Sequence, residues 1–100
     1  MSIEYSASIR LTSSQIQTIE DSILRNGNYT LFEPSSPNRF KLRNVKYLGI
    51  NNGIPDVEIV QNHELIISFR VSDRDDREEF LSLVISALAQ KGIHCVFEEI

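Results

Sequence analysis

The chain has 100 residues, 41% of them hydrophobic and 24% charged, and a net charge of −4 at neutral pH. That length holds one domain with one core, residues 1–100, and surface scaling has such a domain bury roughly 60–70% of what its unfolded chain exposes, so no disulfide or metal is needed for folding. The acidic balance, with a pI near 5.1, argues against a general nucleic-acid binder, whose affinity rests on neutralising phosphates.

Residues 3–11 alternate without a break, Ile3, Tyr5, Ala7, Ile9 and Leu11 against Glu4, Ser6, Ser8 and Arg10. Period two predicts a strand with one buried and one solvated face. A strand buried on both faces would be continuously apolar, so one face of the sheet is expected to stay open. Thr12 to Arg25 follows as a helix: Thr12-Ser13-Ser14-Gln15 fits a capping box, and Ile16, Ile19, Ile23 and Leu24 form a narrow apolar stripe. Asp21 and Arg25 stand at i,i+4 spacing, and Gly27 suits the left-handed position that ends a helix.

Tyr29 to Phe32 is a second strand, stopped by the loop Glu33 to Asn38. Arg39 to Arg43 alternates charged and apolar residues, and Lys46 to Ile50 extends it or forms another short strand. Asn51-Asn52-Gly53 is a turn signal. Val57 to Val60 and Leu65 to Val71 are two further strands hinged at Asn62-His63, with Leu65, Ile67, Phe69 and Val71 on one face. The second helix begins in an acid-rich turn after Ser72 and runs to Gln90 or Lys91, with Gly92 as its stop. Phe80, Leu81, Leu83, Val84, Ile85, Ala87 and Leu88 sweep about 200° at ~100° per residue, which predicts that this helix is the more deeply buried of the two. Ile93 to Ile100 is expected to close the fold as a last strand.

Each helix can serve as a right-handed crossover, which places both on one face of a mainly antiparallel sheet of five to six strands. The expected fold is therefore an α+β two-layer sandwich, whose plan resembles a ferredoxin-like fold with an inserted hairpin. Topology of this kind does not fix function.

Cys95 is the only cysteine, so no internal disulfide can form, and a lone thiol points to a reducing compartment. The N-terminus has neither a basic start nor an apolar run, so no signal peptide is expected, and no stretch approaches the ~20 apolar residues of a spanning helix. The expected location is cytoplasmic.

The chain carries no G-x-S-x-G, G-x-G-x-x-G or G-x-x-x-x-G-K pattern. His94 and Cys95 are adjacent, and neighbours on a strand point to opposite faces, so they cannot share a ligand. Cys95 is expected inward with Ile93 and Phe97, and His63 in a solvated turn. No cofactor, metal site or catalytic residue is expected, nor an enzyme.

Three surfaces stand out. Arg39, Lys41 and Arg43 make a basic ridge, of the kind that protects an edge strand from sheet-to-sheet aggregation. Asp75, Asp76 and Glu79 belong to an acidic run from Asp73 to Glu79, which is either ordinary helix-start chemistry or a contact for a basic partner. The open face is expected to present Ser6, Ser8, Arg10, Ile66, Ser68, Arg70, His94, Val96 and Glu98, unless residues 33–56 fold over it.

A mixed face centred on Ile66, Arg70, His94 and Val96 is what a protein-binding surface looks like. The expectation is a small protein-binding module, in its most concrete form a bacterial inhibitor of the immunity or antitoxin kind. Its partner is then another protein, such as a toxin, or a second copy of the chain. The alternative is a small-ligand-binding regulatory domain acting as a homodimer.

Overall fold

The computed structural model describes residues 2–49, 53–70 and 72–100. The elements run β1 (Ile3–Ala7), α1 (Ser13–Asn26), β2 (Tyr29–Leu31), β3 (Arg39–Asn44), a 3₁₀ turn (Val45–Tyr47), β4 (Val57–Gln61), β5 (Leu65–Phe69), α2 (Arg74–Ala89) and β6 (Glu98–Glu99). All six strands form one antiparallel sheet in the order β2-β3-β4-β5-β1-β6. Both helices pack on one face of it, which makes an α+β two-layer sandwich.

The register explains the core. Ile59 pairs with Phe40 on one side and Ile67 on the other, and Ile67 pairs with Tyr5. Those side chains share the inner face with Leu42, Val57, Leu65 and Phe69, and they meet Ile16, Ile19 and Ile23 of α1 and Phe80, Val84 and Leu88 of α2 in one cluster. Phe80 packs edge-on against Tyr29 and Phe69, with ring centroids 5.1 and 5.6 Å away. Such T-shaped pairs add to area burial by about 0.5–1.5 kcal/mol each.

Helix α1 starts where its sequence says. The Thr12 hydroxyl accepts from the Gln15 N–H at 3.2 Å, the Gln15 side chain accepts from the Thr12 N–H at 2.8 Å, and Gly27 ends the helix at φ +87°. The Asp21–Arg25 pair does not form: Asp21 accepts from Gln17, and Arg25 donates to Ser22. Helix α2 has a second capping box, between Asp73 and Asp76.

Four expectations are corrected. Strand β1 ends at Ala7, because the chain turns there and the Ile9 N–H donates to the Ala7 carbonyl at 2.7 Å. The segment after β3 is a 3₁₀ turn and not a strand, opened by the Asn44 side chain accepting from the Lys46 N–H. Helix α2 is no more buried than α1: each has four buried residues, and Ile85 is 37% exposed, so the apolar arc is wider than the buried one. The last strand shrinks to Glu98–Glu99, with residues 93–97 irregular. Ile50 to Asn52 and Val71, which the sequence reading assigned to a strand, a turn and a strand end, lie outside the described residues.

Candidate binding face

Alternation that sends Ile59 and Ile67 inward sends Val60 and Ile66 outward, directly opposite one another on β4 and β5. On the face away from the helices, two rows of paired residues cross the sheet. One runs Arg39, Val60, Ile66, Ser6, Glu98, and the next runs Lys41, Glu58, Ser68, Glu4. The apolar pair Val60 and Ile66 therefore sits in mid-sheet, half-buried by its neighbours, with cations to one side and carboxylates to the other.

Local contacts hold these charges in place. Arg39 reaches Glu58 at 3.5 Å, Lys41 reaches Glu33 at 2.9 Å, and the Ser68 hydroxyl donates to Glu4 at 2.9 Å. The ridge of Arg39, Lys41 and Arg43 is not on an edge strand, because β3 lies between β2 and β4. Edge protection therefore does not explain it, and its side chains belong to the open face. The loops around β3 are anchored on the helix layer: Ser35 donates to Glu20 of α1 at 3.3 Å, and Tyr47 donates to Asp76 of α2.

Of the residues singled out from sequence, Ile66 lies at the centre of this face. His94 and Val96 precede β6, and with Ser6, Ser8, Glu64 and Glu98 they line a cleft of about 360 Å³ where residues 94–96 part from β1. Val96 is 60% exposed and His94 is exposed, whereas Cys95 is buried and burial pushes its thiol pKa up. Arg70 lies four residues beyond Ile66, at the opposite end of β5, about 14 Å away at strand rise. The structure thus puts His94 and Val96 at one end of the face, Ile66 between them and the far end, and Arg70 just past the far end of β5.

The acidic run has a different setting. Asp76 accepts from the Lys46 ammonium and the Tyr47 hydroxyl, each at 2.6 Å, and Glu79 accepts from Asn28 at 3.1 Å. Burial pushes the Asp76 carboxyl up, but the hydrogen bonds from Lys46 and Tyr47 outweigh it and hold the group below the usual range. The same contacts raise Lys46 and Tyr47, and burial, with Asp76 and Glu79 nearby, raises the Tyr29 phenol. The basic partner of these acids thus includes Lys46 of the same chain. Asp75 is exposed.

Sequence reading missed Val60 and the pairing of its row with Ile66. The signal was present, since Val57, Ile59 and Gln61 alternate with Glu58 and Val60. It also missed Asp56, which is fully buried: one carboxylate oxygen accepts from the Asn44 N–H at 2.8 Å, the other has no hydrogen-bond partner among the described residues, and the charge of Arg43 offsets part of the burial. Desolvation raises its pKa. Val45 and Leu48, in and next to the 3₁₀ turn, and Ile54, ahead of β4, are further exposed apolar side chains.

No helix among the described residues is long and apolar enough to cross a membrane. Comparisons with protein-family models, with curated proteins and with solved structures found no match.

Proposed function

We propose that this chain is a protein-binding module that works through the open face of its sheet, and that it is not an enzyme. The observation that carries the reading is the central pair Val60 and Ile66, opposite one another in register and left on the face that carries no helix. Apolar area there gains roughly 25 cal/mol per Å² on burial, before the losses of association are subtracted. The flanking charges of Arg39 and Lys41 on one side and Glu4 and Glu98 on the other give a partner its register.

The most concrete form of this reading is a small inhibitor of the immunity or antitoxin kind, located in the cytoplasm, which acts by occupying its target and needs no reactive group. A second form, a small-ligand regulatory domain, is favoured by one observation: the cleft between β1 and residues 94–98, whose lining includes His94, Glu64 and Val96.

The test of the first form is capture of the product of the adjacent coding sequence by the intact chain, by Ile66→Asp and by Val96→Asp, run beside thermal melts. Retention by the intact chain and loss by Ile66→Asp, with melting temperatures nearly unchanged, is the expected result. Equal retention by all three chains contradicts the assignment of the face.

A further inference from the structure

Most charges on the open face are sorted by strand, with Glu58 of β4, paired to Arg39, and Arg70 beyond β5 standing outside the pattern. Arg39, Lys41 and Arg43 come from β3, while Glu4 and Glu98 come from β1 and β6, three and four positions along the sheet. Between them β4 and β5 contribute Val60 beside Ile66 and Glu58 beside Ser68. From this pattern, and resting on the reading of the open face as a binding surface, we infer that the partner it fits is a second copy of this chain.

The register makes the face self-complementary. A two-fold axis running along the strands, between β4 and β5, exchanges β4 with β5 and β3 with β1. Each row then falls on itself reversed. Lys41 stands over Glu4 of the second copy, Val60 over Ile66, Glu58 over Ser68, and Arg39 over Ser6 beside Glu98. The other in-plane axis, across the strands, lays β3 on β3 and sets cation against cation. Charge therefore selects one of the two face-to-face arrangements, and that one also joins the apolar centres. The twist of each sheet rotates the two copies by about 30° from strict alignment, which spares the central contacts most.

Size sets the strength. Strand spacing of about 4.8 Å and rise of about 3.4 Å give the sheet, about five residues long over its four central strands and shorter at β2 and β6, a face of at most about 400 Å² in plan, against about 800 Å² per partner in a standard interface. The dimer is accordingly reversible on dilution.

Sedimentation velocity of the full chain, from micromolar to millimolar concentration, tests this. The intact chain is expected to pass from monomer to dimer. Lys41→Glu and Glu4→Lys should each weaken the dimer about tenfold, and the two together should restore it to within about threefold, since the swapped pair keeps its attraction. Ile66→Asp should abolish the dimer with its thermal melt nearly unchanged. A chain that stays monomeric throughout overturns the self-partner inference and leaves the open face to be judged by the capture experiment. A dimer indifferent to all of these substitutions overturns both the inference and the open-face reading.

Discussion

The phenolic hydroxyl of Tyr47 lies 2.6 Å from the Asp76 carboxylate and ties the turn after β3 to the first turn of α2. Lys46 meets the same carboxylate at 2.6 Å, and Asp76 also closes the capping box with Asp73. One side chain thus joins a helix start to the loop after β3, and Lys46 adds a 3.6 Å contact to Asp73. Asp76→Ala should lower stability by about 1–3 kcal/mol, the range for lost charged hydrogen bonds and caps, and Tyr47→Phe by less. Asp75→Ala, one residue away and exposed, should change it by less than about 0.5 kcal/mol. Urea unfolding of the three variants checks this.

Two carboxylates make opposite contributions to the pH profile. The folded state holds Asp76 below its unfolded pKa, so its stabilisation is full above about pH 4 and is lost as pH falls through the folded value. Asp56 is raised by desolvation, so the folded state binds its proton more tightly, and stability declines as pH rises above about 4 through the folded value. Asp56→Asn keeps an oxygen to accept from the Asn44 N–H and removes the buried charge. It should be as stable as the native chain or more so at pH 7, with the gain vanishing at low pH. A variant less stable at pH 7 than at pH 3, relative to the native chain, would contradict this account of Asp56.

Core truncation tests the helix phase. Phe80 is fully buried between Tyr29 and Phe69, and Phe80→Ala should destabilise by about 3–5 kcal/mol. Ser82→Ala and Ser86→Ala, on the exposed side of α2, should have little effect on the melting temperature.

Cys95 should react slowly with thiol reagents in the folded chain, since it is buried and its thiol is pushed up in pKa. Labelling as fast as that of the unfolded chain would place the segment 93–97 in the wrong phase.

Features written in local chemistry were legible in the sequence: the Thr12–Gln15 capping box, the stop at Gly27, the inward phase of Leu65, Ile67 and Phe69, and the inward Cys95. What failed was inference from burial to pairing. Ile93, Cys95 and Phe97 do alternate toward the core, as a strand would, yet β1 turns away at Ala7 to Ile9 and leaves residues 94–96 without a ladder to join. The basic ridge was misread for a related reason. Alternation assigns Arg39, Lys41 and Arg43 to one face, but nothing local says which strands lie beside β3, and strand order alone decides between edge protection and an inner position. The link from Lys46 to Asp76 spans a separation that no spacing rule covers.

The open face as the surface on which two copies meet is tested most directly by methyl NMR of the full chain over a dilution series. Concentration-dependent shifts at Val60 and Ile66, with Ile85 on α2, Leu48 next to the 3₁₀ turn and Ile54 ahead of β4 unmoved, are the predicted result. Shifts confined to Leu48, Ile54 or Ile85, with Val60 and Ile66 constant, would contradict it and move the binding surface to another side of the molecule.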